Sequence, residues 1–104
     1  MAKGEIECNR VYEDEDFLAF RDINPQAPIH ILIIPKKHIV RLHDTEDVLL
    51  MGKLLSLASR IARDEGIAET GYRIVINTNR NAGQSVEHLH VHLLGGRVMK
   101  WPPG

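Results

Sequence analysis

Three histidines stand at two-residue spacing, His88, His90 and His92, in the run HLHVHLLGG, with Leu89 and Val91 between them and Leu93 after. Side chains alternate faces along a β-strand, so this spacing predicts all three imidazoles on one face and Leu89, Val91 and Leu93 on the other. A strand covering a core needs one apolar face only, which leaves the imidazole face for chemistry. Near neutral pH an imidazole acts as a nucleophile, a proton shuttle or a metal ligand.

Metal binding is the first of these to weigh. Two imidazoles two apart on a strand can share an ion, and His30, His38 or His43 could supply a further ligand. Zinc-bound histidines are usually oriented by carboxylate or carbonyl partners, and the parity of Glu87, the nearby acid, puts it on the opposite face. The single cysteine, Cys8, excludes an intramolecular disulfide and the paired-cysteine zinc motifs. The expectation is a site without a metal or other cofactor. A milder reading also fits some of these residues: one member of the triplet, or His30 beside its apolar run, can simply satisfy buried polar groups.

Just before the triplet lies the loop NRNAGQS, Asn79 to Ser85. Taken alone, its glycine most often marks a positive φ. Beside aligned imidazoles, Gly83, Gln84 and Ser85 read instead as the phosphate end of a pocket, with backbone N–H groups and a hydroxyl converging on an anion.

These residues need elements to hold them. Asn9–Tyr12 and Asp16–Asp22 read as short strands meeting at the acidic turn Glu13-Asp14-Glu15, and NPQAP must be loop. The β-branched run Ile29–Ile34, closed by Pro35, reads as a buried strand. From about Thr45 to Glu65, Val48, Met51, Leu54, Leu55, Ala58, Ile61 and Ala62 recur at helical spacing, with Asp44 or Thr45 as cap and Gly66 as stop. Tyr72–Thr78 and Glu87–Leu94 read as neighbouring antiparallel strands joined by the loop. The fold class expected is α+β, a mostly antiparallel sheet crossed by one long helix.

With 104 residues, 43% of them hydrophobic, the chain supports one domain, 1–104, with a short N-terminal segment 1–10 and a C-terminal tail 97–104. Lys+Arg number 13 against 14 Asp+Glu, so no sequence-wide basic field exists to hold polymeric nucleic acid or an anionic membrane. The polar start MAKGEIECNR lacks the apolar stretch of a secretory signal, and no run reaches membrane-spanning length. A cytoplasmic protein in a reducing compartment is expected.

The run HLHVHLL resembles the histidine triad motif, and DINPQAP, HILIIPKKHI, GYRIVIN, AGQSVEHLHVHLLGGR and WPPG extend the likeness in order from Val11 to Gly104. The chain is similar to the Hint branch of histidine triad nucleotide-binding proteins. GGR with WPPG sets it apart from the Fhit branch, which cleaves dinucleoside polyphosphates. The resemblance implies hydrolysis of purine nucleoside phosphoramidates, with acyl-adenylates also accepted, and a homodimer. A nucleotide-binding or scaffold protein with incidental hydrolysis, or a dinucleoside polyphosphate hydrolase, is the alternative.

By the same resemblance His90 is the nucleophile, His92 holds the phosphate and His88 is mainly structural. His30 would complete a proton relay, Ser85 and Gln84 would meet the phosphate and the departing amine, and Asn77 would reach the phosphate. Asp22 maps to the acid that binds the ribose hydroxyls, Phe20 and Ile23 to the border of the base, and Trp101 to the leaving-group side, reached from the neighbouring subunit. Two departures from the family pattern stand out. Only MAKGEIECNR precedes Val11, without a Cys-x-x-Cys pair, and Arg21 falls where a histidine or apolar residue is common.

Overall fold

The computed structural model describes residues 9–104; Cys8 and nearly all of segment 1–10 lie outside the described residues. Strands β1 (Arg10–Glu13), β2 (Phe17–Arg21), β3 (Ile29–Pro35), β4 (Tyr72–Val75) and β5 (Val91–Gly95) form one antiparallel sheet in the order β1-β2-β3-β5-β4. Helix α1 (Val48–Asp64) packs on one face, and a single helical turn, α2 (Asn79–Ala82), interrupts the loop before β5. The fold is α+β as expected.

The acidic turn is built by Asp14, whose Oδ1 accepts the amides of Asp16 and Phe17, both at 2.8 Å. Helix α1 starts later than its periodicity suggests. Asp44 is taken by a short turn, where its carboxylate accepts the Arg41 amide, so Asp47 caps α1 instead by accepting from the Leu50 amide at 3.0 Å. Leu54, Leu57, Ala58, Ile61 and Ala62 of α1 are buried against Phe17, Ala19, Ile31, Ile33, Val91 and Leu93. Leu57 belongs to this core, whereas Val48 and Leu55 stay outside it, 83% and 49% exposed.

Strand β5 is shorter than the expected Glu87–Leu94, and so is β4, which ends at Val75. The β3–β5 register pairs Ile33 with Val91, so its continuation would set Pro35 opposite Leu89. Proline has no N–H to give, and the ladder stops there. His88 and His90 therefore precede the strand, and only His92 lies on it. The alternation survives the break: Leu89, Val91 and Leu93 are fully buried on the helix side, while the three histidines are partly exposed.

Candidate active site

The sheet face opposite α1 carries the imidazoles. Leu32 pairs with His92 and His30 with Leu94, so His30 and His92 are diagonal neighbours on one face. Their rings stand 5.2 Å apart, and the His90 ring stands 5.0 Å from that of His92. His88 is set differently: its Nε2 donates to the Pro35 carbonyl at 2.7 Å, and its ring stands edge-on to His38 at 5.5 Å. It fastens the approach to β5 to the end of β3.

The hydrogen bonds assign the protons. The amide of Gln26 donates to Nδ1 of His30 at 3.0 Å, so that nitrogen is unprotonated and the proton of a neutral ring sits on Nε2. Nε2 then donates to Nδ1 of His92 at 2.9 Å, which leaves His92 its proton on Nε2. His90 is arranged the other way round. Its Nδ1 donates to the carbonyl of His88 at 2.7 Å, so its Nε2 keeps an unshared lone pair, with no partner among the described residues. A nitrogen with a free lone pair thus stands beside a ring whose remaining nitrogen can only donate.

Burial keeps the pair neutral. Desolvation, followed by the neighbouring His90 and His30, pushes the His92 pKa down to about 4, with Asp22 pulling the other way. His30, only 6% exposed, is held below the ordinary histidine value by burial, again against Asp22. Oδ2 of Asp22 lies 3.5 Å from Nε2 of His30, while its Oδ1 accepts the Asn24 amide at 2.8 Å.

Around this centre, Phe20 is buried and pairs with Leu32 on the imidazole side, whereas Ile23 is 76% exposed. Arg21 points to the other face of the sheet, with Phe17 and Ala19, and its guanidinium pairs with Glu65 at 2.8 Å. Its charge is spent on the residue that caps the C-terminal end of α1. Asn77 follows Val75, the β4 partner of His92, by two residues. Ser85 is exposed at the end of the loop. Gly83 has φ +83°, the left-handed conformation that closes α2. The Gln84 amide group is committed to the loop itself: Oε1 accepts from Asn79 N at 2.9 Å, and Nε2 donates to the Val40 carbonyl at 2.6 Å.

Trp101 is 81% exposed, and the tail that carries it is tied back to β4 by Arg73, which donates to the Lys100 carbonyl at 3.0 Å. Arg73 pairs with Leu94 across the sheet, so it belongs to the imidazole face. Three participants carried no chemistry of their own in the sequence: Arg73, Arg97 and the backbone of Gln26. Gln26 and Arg97 lie within NPQAP and GGR, and a segment with no visible chemistry that borders a histidine is the signal available. Arg97 donates from Nε to the Gln26 carbonyl at 3.1 Å.

Asp22, His30 and His92 bring their ligand atoms within 4.8 Å of one another. The set does not suit a metal ion. A metal would need the lone pair of Nε2 of His30, and the Gln26 amide holds the proton on that nitrogen.

Comparison with known proteins places these features among relatives. Residues 3–99 match the HIT domain family. A HIT-like protein of Synechococcus elongatus is 55% identical over 104 residues, covering 98% of this chain and 90% of its own length. A protein of Zea mays named 14 kDa zinc-binding protein is 56% identical over 106 residues, covering 98% of this chain and 82% of its own. The crystal structure of a HIT family hydrolase from Legionella pneumophila superposes with a TM-score of 0.93 at 54% identity, covering 100% of this chain and 95% of that one. With a family match across nearly its whole length and relatives above half identity, this chain belongs to the HIT domain family.

Proposed function

We propose that the chain is a purine nucleoside phosphoramidate hydrolase of the Hint branch, acting as a homodimer through a covalent nucleotidyl-histidine intermediate. The observation that carries this reading is the opposed protonation of two adjacent rings: His90 offers a lone pair at Nε2, and His92 a proton at Nε2. In the first step Nε2 of His90 attacks phosphorus and the substrate's P–N bond breaks, the amine leaving with a proton passed from the Ser85 hydroxyl. In the second, water adds to phosphorus and cleaves the P–N bond to His90, restoring the imidazole, and the proton it loses returns to Ser85. His92 donates to a phosphate oxygen as charge develops, Ser85 assists the departing amine, and Asp22 accepts from the ribose hydroxyls. Acyl-adenylates are substrates of the same chemistry.

Two features support the dimer. Val48 and Leu49 on α1 are 83% and 69% exposed, and β4 is an edge strand with one side unpaired among the described residues. A second subunit would cover them and meet Trp101.

Turnover of an adenosine phosphoramidate by the wild-type chain and by His90→Ala tests the reading. A loss of at least about a thousandfold is expected, because binding and electrostatic contributions are all that remain without the nucleophile. Acid-labile labelling of the wild type during turnover should vanish in the variant. Saturable nucleotide binding without turnover would identify a binding protein instead, and retention of a tenth of the activity by His90→Ala would remove His90 from its role.

A further inference from the structure

Gln26 is held from two sides. Its amide N–H meets Nδ1 of His30 at 3.0 Å, and its carbonyl accepts Nε of Arg97 at 3.1 Å. Arg97 also donates from Nη1 to the Val98 carbonyl at 3.1 Å, so its guanidinium is spent on backbone, in charge-assisted bonds stronger than those between neutral groups. The turn that delivers Arg97 is itself docked on the same loop. Gly96 sits at φ +88°, and a Cβ there would come 3.0 Å from the ring of Pro28. The GGR and NPQAP segments form one contact, with His30 directly behind it.

We propose that Arg97 is a positioning residue for the proton relay: by holding the Gln26 carbonyl it keeps the Gln26 N–H on His30, fixes the His30 proton on Nε2, and so presents His92 to the substrate as an N–H donor. The alternative tautomer shows what is at stake. With its proton on Nδ1, His30 would face the Gln26 amide donor to donor, and its Nε2 would accept from Nδ1 of His92. Nε2 of His92 would then carry a lone pair toward the substrate, repelling a phosphate oxygen it should bind. With the proton of His92 left on its Nε2, the same shift of the His30 proton would set two lone pairs, Nε2 of His30 and Nδ1 of His92, beside Asp22 as a ligand set for a divalent ion. One backbone amide thus decides between a proton relay and a metal site.

The catalytic part of this inference rests on the phosphoramidase reading; the tautomer part does not. Long-range 15N–1H spectra of the imidazoles, recorded without substrate, should show His30 in the wild type with Nδ1 unprotonated and Nε2 protonated. In Arg97→Ala the two nitrogens should move toward averaged shifts, and kcat should fall about tenfold, the rate equivalent of one hydrogen bond, with KM within about twofold. Arg97→Lys, which can still donate to the Gln26 carbonyl, should recover most of both. Gln26→Pro, which deletes the N–H outright, should acquire Co2+ absorption bands absent from the wild type. A folded Arg97→Ala protein with wild-type His30 nitrogens would overturn the proposal. Should that variant fail to fold, Arg97→Met, which fills the same space without a donor, carries the same comparison, and an unchanged tautomer there would overturn it equally. Inactivity of the wild type on phosphoramidates with the expected tautomer would count against the phosphoramidase reading alone.

Discussion

His30 and His92, 62 residues apart in the chain, share one proton across 2.9 Å, and the His30 side holds it. The strands bring the two rings together by register, pairing Leu32 with His92 and His30 with Leu94. Everything His92 can do to a substrate follows from that shared proton.

The pH dependence of stability carries the same relationship. The His92 pKa in the folded chain is about 4 against an ordinary 6.5, so the unfolded chain binds the extra proton first as pH falls. Stability is therefore full above about pH 6.5, declines between about 6.5 and 4, and loses nothing further through this group below 4. Urea denaturation of the wild type and His92→Asn from pH 7.5 to 4 should show a shallower slope in the variant over that window. Parallel curves would mean that His92 titrates normally in the fold.

Asp22 should matter most to substrates that carry a ribose 2′-hydroxyl. Its Oδ1 is engaged with the Asn24 amide, and Oδ2 faces His30 at 3.5 Å with acceptor capacity to spare. Asp22→Asn is expected to raise KM for adenosine phosphoramidates about tenfold, with a smaller change for the 2′-deoxy series. Equal losses on the two series would assign Asp22 to the histidine pair alone.

Exhaustive chelation should leave turnover unchanged, because the proton on Nε2 of His30 blocks the candidate ligand set. The decisive contrary result would be stoichiometric zinc in active protein, with activity lost on its removal and restored on its return.

Removing Met99–Gly104 should alter the ranking of amine leaving groups more than nucleotide affinity, since the tail carries an exposed Trp101 anchored through Lys100 to Arg73 on the imidazole face. Kinetics across a series of amines checks this, with light scattering expected to give a dimer for the full chain. An unaltered ranking, or a monomer at micromolar concentration, would dismiss the tail from the site.

The periodicity of the sequence was enough to place the helix, the strand pairs and the apolar face of β5, because burial on one side writes itself into every second or fourth residue. It could not reveal where β5 begins: that depends on Pro35 standing opposite Leu89, a long-range matter of register. The cap of α1 moved from Asp44 or Thr45 to Asp47 for a similar reason, since a local turn claims Asp44 first. Spacing marks His92 and resemblance marks His30, whereas their tautomers come from the Gln26 backbone, whose contact with His30 no side-chain type discloses. Arg21 departs from the family pattern, and only the pleat shows that it lies on the helix side of the sheet.

The pleat that separates Val91 and Leu93 from His90 and His92 also makes this segment intolerant of a change in length. Inserting or deleting a single residue between His88 and Gly95 would turn the imidazoles into the hydrocarbon under α1 and expose the aliphatic side chains. A two-residue change would preserve the faces but carry His92 out of diagonal reach of His30. Single substitutions alter the chemistry of these positions one at a time, but the spacing itself has no neighbouring solution.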